Sequence, residues 1–155
     1  MRLAGAQDVG VLRAMLYEAF SWRPGTSIPP LEEALALPDI GRYVDGWGRP
    51  FDLGVVADGD VGAAWIRTFT DDDHGYGFVS PEVPELSIGV LPDARGRGVG
   101  TALLSDLLAH ARAAGHPSVS LSVETDNPAV HLYERFGFVR VGYVGTSWTM
   151  QRILD

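Results

Sequence analysis

The chain has 155 residues, 46% of them hydrophobic, which is the ordinary size of one domain with enough apolar material for a core. Twelve Lys and Arg against 20 Asp and Glu give a net charge of −8, which argues against the basic face that nucleic-acid binding needs and suits either solubility or the steering of a cationic small molecule. No cysteine is present, excluding disulfides, thiolate metal sites and a cysteine nucleophile; no run of about 18 apolar residues suggests a membrane span, and no apolar leader follows Met1, so the cytoplasm is the default compartment.

Asp8 reads as an N-cap, followed by Val9, Leu12, Met15, Leu16 and Ala19 at helical spacing, so a helix is expected over 8–20. The stretch from Ser27 to Leu37 carries Pro29 and Pro30 before LEEALAL, and Pro38 stops it, which predicts a short helix. Another helical turn is expected over 39–46, ending at Gly46. FDLGVVA and VGAAWIRTF flank Asp58-Gly59-Asp60 and form a hairpin signal. Residues 70–84 show no periodicity and read as a long loop or a distorted strand pair, of a length that is often functional.

The second half is clearer. Residues 85–91 (ELSIGVL) read as a strand, and 97–114 as a helix with Val99, Leu103, Leu107 and Ala111 on one face and Gly115 ending it. Ser118–Val123 alternates as a strand should. A helix over 128–136 has Asn127 as cap, Pro128 at its first position and Gly137 after it. FVRVGYV and TSWTMQRIL are two final strands. The order α-α-β-β-β-α-β-α-β-β implies one domain over 1–155, built as a mixed sheet with helices on its faces.

Chemistry concentrates where the 85–91 strand runs into the next helix. There Arg95-Gly96-Arg97-Gly98-Val99-Gly100-Thr101 leaves the backbone bare at a helix N-terminus. Bare amides, the helix dipole and two forked arginines suit a pyrophosphate. The pattern GxxxxGK[ST] is absent, and the glycine spacing misses GxGxxG, which disfavours a nucleoside triphosphatase and a dinucleotide-binding oxidoreductase. A tight strand–helix turn without a ligand is the plain alternative.

Arg95-x-x-Gly98-x-Gly100 resembles the CoA-binding motif of the GNAT superfamily of N-acetyltransferases. The segment Asn127-Pro128-Ala129-Val130-His131-Leu132-Tyr133-Glu134-Arg135-Phe136-Gly137-Phe138 is similar to that family's Asn-Pro…Leu-Tyr…Gly-Phe signature. The likeness is strong over 84–153 and weaker over 1–70. It implies a single α/β (α+β) domain with a mixed, mostly antiparallel sheet of about six to seven strands and about four flanking helices, with a splayed strand pair at the acyl-CoA site.

By the same resemblance the strand before the loop carries a bulge, and backbone groups of Ile88, Gly89 and Val90 bond the pantetheine amides of acetyl-CoA. A glycine at 89 agrees, since mid-strand glycine marks a bulge or a close approach. Gly96, Arg97, Gly98, Val99, Gly100 and Thr101 would hold the pyrophosphate, with side-chain contacts from Arg95 and Arg97. Asn127 would touch the pantetheine arm. Tyr133 would sit near the sulfur as acid for the leaving thiolate, whose thiol has a pKa of about 8.5. Its plainer role is a core tyrosine, sharing a face with Ala129, Leu132 and Phe136.

The acceptor implied is a primary amine, a small cationic molecule or a peptide, mostly protonated at neutral pH because its pKa is about 10.4. Glu85 is the expected base, acting through a water, with Glu82 second and Asp71, Asp72, Asp73 or His74 as alternatives. Acceptor contacts are expected among Tyr43, Trp47, Trp65, Arg67, Phe69, Tyr76, Phe78 and Trp148. Histidines 74, 110, 116 and 131 show no ligand spacing, so no metal is expected. Direct attack in a ternary complex is implied, and a homodimer is common in such folds. A non-catalytic acyl-CoA-binding module of the same fold is the alternative.

Overall fold

The computed structural model describes residues 1–25 and 28–155; Ser27, the expected start of the second helical stretch, lies outside the described residues. The elements are β1 (Arg2–Leu3), α1 (Val9–Phe20), α2 (Leu31–Ala36), α3 (Pro38–Gly41), β2 (Leu53–Val56), β3 (Gly62–Arg67), β4 (Glu85–Val90), α4 (Val99–Ala113), β5 (Ser118–Glu124), α5 (Ala129–Arg135), β6 (Val139–Val144) and β7 (Ser147–Ile153). They form one seven-stranded sheet in the order β1-β2-β3-β4-β5-β7-β6. Every pairing is antiparallel except β4 with β5, as expected for a mixed sheet.

Alternation along the central strands sorts side chains onto two faces. Ala64 and Ile66 pack with Leu103, Leu104, Leu107 and Val119 under α4 and α5, while Ala63 and Trp65 pack with Leu12, Met15, Leu16 and Leu35 under α1 and α2. Both faces of β3 are therefore buried, which is why its sequence reads as a nearly continuous apolar run.

Several expectations are corrected. Asp8 stands before α1 but makes no cap bond to it. Its carboxylate turns back to accept the Gly5 amide at 2.8 Å and an Arg2 guanidinium hydrogen at 2.7 Å. α4 begins at Val99 rather than at 97, because Gly98 adopts a left-handed φ of 81° and ends the loop. The expected bulge at Gly89 is absent. β3 and β4 pair without interruption from Gly62–Val90 to Arg67–Glu85. Glycine is required there by close approach instead, since a Cβ at 89 would lie 2.1 Å from the Met15 carbonyl oxygen of α1.

The feature that shapes the molecule is the join between β4 and β5. They share one bridge, Glu85 with Ser120. Beyond it the strands part, and β5 is held from its other side by β7 along its whole length.

Candidate functional site

Where β4 and β5 part, a cleft of about 800 Å³ opens. Ile88, Gly89 and Val90 form one wall, and Leu121, Ser122, Val123 and Glu124 the other. In an antiparallel pair, alternate backbone groups point away from the partner. Past Glu85, those of β4 that face away from β3 meet no strand on the β5 side.

The cleft runs into a second hollow of about 500 Å³ lined by Arg95, Gly96, Gly98, Val99, Gly100, Thr101 and Arg135. Val90, Arg95, Gly100, Pro128, Ala129 and Leu132 border both, so the two are continuous. The first bond closing α4 runs from the Ala102 amide to the Gly98 carbonyl at 3.0 Å, which leaves the amides of Val99, Gly100 and Thr101 without helical acceptors. Gly96 and Gly98 both have left-handed φ, and open space lies where a Cβ would stand. Residues 95–98 are exposed. The cradle is thus bare, positively polarised and reachable, as an anion site requires.

Arg95 donates its Nε–H to the Val90 carbonyl at 2.9 Å and lies 3.6 Å from Glu18, which fixes it where cleft and cradle meet. Arg97 lines neither hollow. Arg135, which the sequence reading left without a role, does line the cradle; its place in the last turn of a helix that starts at the cleft was the available signal. The N-cap of α5 is Pro128 rather than Asn127, but Asn127, one residue before it, accepts the Ala129 amide at 2.9 Å, and its amide nitrogen remains for the cleft it lines.

Tyr133 also lines the cleft. Its ring is buried edge-on against Phe138, and its hydroxyl has no protein partner among the described residues. Burial pushes its pKa up, so the phenol keeps its proton.

Glu85, the expected base, opens β4 where the strands part, but its side chain is 1% exposed and does not line the cleft. Its Oε2 accepts the Gly75 amide at 2.8 Å; its Oε1 accepts the Gly77 amide at 2.8 Å and the Tyr43 hydroxyl at 3.3 Å. Burial raises its pKa, and the Gly77 and Gly75 amides and the Tyr43 hydroxyl offset that only in part. Glu82 and Asp71, Asp72 and Asp73 are exposed; His74 stacks on Phe78 at 4.3 Å; none of them lines the cleft.

Of the expected acceptor contacts, Tyr43 and Tyr76 line the cleft, joined by Phe20 at the end of α1 and Trp22 just beyond it. Trp47, Phe69, Phe78 and Trp148 do not line it. Trp65 and Arg67 are interior supports. Trp65 donates to the Tyr43 carbonyl at 3.0 Å. Arg67 is clamped by both oxygens of buried Asp52 and donates to the carbonyls of Arg42 and Asp45. Among the described residues no group of three or more His, Asp or Glu is arranged to hold a metal ion, and no helix is long and apolar enough to cross a membrane.

The sequence profile described as "Acetyltransferase (GNAT) family" matches residues 14–138. Mycothiol acetyltransferase of Geodermatophilus obscurus is 40% identical over 116 residues, covering 72% of this chain and 36% of that protein. Its counterpart in Rhodococcus erythropolis is 32% identical over 146 residues, covering 88% and 44%. The chain thus spans less than half the length of these relatives. Among solved structures, the ribosomal-protein-alanine N-acetyltransferase of Brucella melitensis superposes with a TM-score of 0.70 at 24% identity, covering 99% of this chain and 98% of that one. The PaiA N-acetyltransferase of Thermoplasma acidophilum, solved with coenzyme A, gives 0.65 at 18% identity, covering 99% of each. Both structural likenesses concern the fold.

Proposed function

Because the chain belongs to the acetyltransferase (GNAT) family, we propose that it transfers an acetyl group from acetyl-CoA to the primary amine of a small cationic molecule, in the cytoplasm. The observation that carries this reading is the single Glu85–Ser120 bridge. It lets β4 and β5 part around a cleft whose far end meets a bare, arginine-flanked amide cradle.

Acetyl-CoA supplies the acyl group already activated as a thioester. The amides of 96–101 with Arg95 and Arg135 hold the pyrophosphate. The amide nitrogen of Asn127 and the unpaired backbone groups of Ile88, Gly89 and Val90 hold the pantetheine arm. An outward amide of β4 polarises the carbonyl as the amine attacks. The carbon–nitrogen bond forms as the carbon–sulfur bond breaks, and Tyr133 Oη gives its proton to the departing sulfur and regains one from solvent.

Each carboxylate on the cleft wall among the described residues is paired, Glu18 facing Arg95 and Glu124 bonded by Arg23 at 2.5 Å. The acceptor therefore reacts from its neutral fraction and loses its proton to water. No covalent intermediate on the protein is needed, and proximity in a ternary complex supplies much of the rate.

A small acceptor is favoured by the aromatic wall of Phe20, Trp22, Tyr43 and Tyr76 and by the net charge of −8. The relatives above are also named for a small molecule, mycothiol. The test follows CoA release with n-butylamine, spermidine, tyramine and an alanine-initiated peptide. Turnover of a small amine supports the proposal. Turnover of the peptide alone moves the acceptor to proteins, and acetyl-CoA binding without turnover of any acceptor leaves a binding module.

A further inference from the structure

We propose, resting on the acetyltransfer reading above, that Glu85 is a positioning residue which holds the 75–77 backbone so that Tyr76 forms the acceptor wall. Three successive amides converge on one anchor. Gly75 and Gly77 donate to the two carboxylate oxygens of Glu85, and between them the Tyr76 amide donates to the Tyr43 hydroxyl at 2.8 Å. Tyr43 in turn donates to Glu85 Oε1.

The two glycines are sterically obligatory. A Cβ at Gly75 would lie 2.2 Å from the Tyr43 hydroxyl oxygen, and one at Gly77 would lie 2.4 Å from the Leu121 carbonyl carbon of β5. Tyr76 is thus the one side chain this segment presents. It is 48% exposed, lines the cleft and leans on Phe20 with ring centroids 6.3 Å apart.

The anchor is braced from behind. Trp65 holds the Tyr43 carbonyl, and the Asp52-clamped Arg67 holds the carbonyls on either side at Arg42 and Asp45. Arg67 is also the cross-strand partner of Glu85. The titratable groups around the carboxylate are Tyr43, Arg67 and, at longer range, His74. A carboxylate with three fixed donors in a closed site is built to hold backbone, and it has no path of its own to an amine in the cleft.

Gln at 85 keeps the volume but offers one acceptor oxygen, and sets an NH2 against a backbone N–H. The experiment compares Glu85→Gln, Tyr43→Phe, Tyr76→Ala and the double variant Glu85→Gln/Tyr76→Ala. The acceptor is whichever amine of the panel the wild type turns over best. Expected for each single variant is an amine KM raised about tenfold or more, with kcat and the acetyl-CoA KM within about threefold of wild type. The rise of kcat/KM with pH is retained, and the double variant is no worse than Tyr76→Ala because both act through one wall.

A kcat lowered about a hundredfold in Glu85→Gln, with the pH dependence flattened and amine KM unchanged, makes Glu85 the base and overturns the proposal. A wild-type amine KM in Tyr76→Ala overturns it as well. Hydrogen exchange supplies a readout that needs no turnover: the Gly75 and Gly77 amides should exchange about tenfold faster in Glu85→Gln, and unchanged exchange sinks the anchor. Should that variant not fold, Tyr43→Phe retains the charge and must still speed exchange at Tyr76. A wild type inactive on every acceptor defeats the acetyltransfer reading, while exchange still decides the anchor.

Discussion

A phenol enclosed by apolar groups keeps its O–H at neutral pH, and Tyr133 lines the cleft in that state. The proposed reaction assigns that O–H to the departing sulfur. Removing the Tyr133 hydroxyl should lower kcat about tenfold to a hundredfold with both KM values little changed, measured by CoA release. Because the hydroxyl has no protein partner among the described residues, Tyr133→Phe should leave Tm within about 1 °C. Asp8 shows the opposite electrostatics. The Gly5 amide, then the Arg2 guanidinium, hold its carboxyl below the ordinary range. A lowered folded pKa contributes stability that is present above the unfolded pKa of about 3.9 and is lost as pH falls through the folded value. Asp8→Asn should therefore lower Tm at pH 7 by clearly more than at pH 3, followed by circular dichroism. The position of Tyr133 on the cleft was legible because its motif is local to one helix. The enclosure of Glu85 was not, because it is made by residues 75–77 folding back over β4 and by Tyr43 from a separate turn. For the same reason Trp65 and Arg67 looked like acceptor contacts; nothing near them in the chain announces that Asp52 and residues 42–45 will close over them.

At the level of elements, α1 and β4 are packed so closely that their separation is set by a missing side chain. Gly89→Ala must push α1 away or break the β3–β4 register. It should cost about 3 kcal/mol or more, read from urea denaturation, whereas Gly10→Ala on exposed α1 surface, with nothing within 4 Å of the added carbon, should be neutral or stabilising. The periodic helices and alternating strands after residue 85 could be traced directly from the sequence, since caps, glycine stops and apolar stripes agree there. β1 was missed because two residues carry no period. Of the two causes that a lone glycine in a strand does not distinguish, the structure shows at Gly89 the close approach and not the bulge that the resemblance implied.

For the whole molecule, binding at the cradle should act as a clamp across the parted strands. Acetyl-CoA at about a hundred times its Kd should add about 2.7 kcal/mol to stability and raise Tm accordingly. Added salt should weaken the effect because exposed phosphate contacts are screened. Differential scanning fluorimetry in low and high salt checks both. All of the chain's 12 cationic side chains are arginines, so no lysine of its own competes as an acceptor in such assays. Fold class and cradle could be foreseen because their signals lie in contiguous sequence; the aromatic wall of the cleft is assembled from α1, the 42–45 turn and the 75–77 segment, which meet only in three dimensions.

Two strands joined by a lone rung expose their inner margins to one another. Unpaired margins ordinarily template stray extended chains and seed aggregation. Here they diverge, so a foreign strand zipped to either one is led away from the other, and the Gly77 segment already wedges the narrow end against Leu121. The geometry that admits a slender ligand arm thus discourages the protein from polymerising through its own interior.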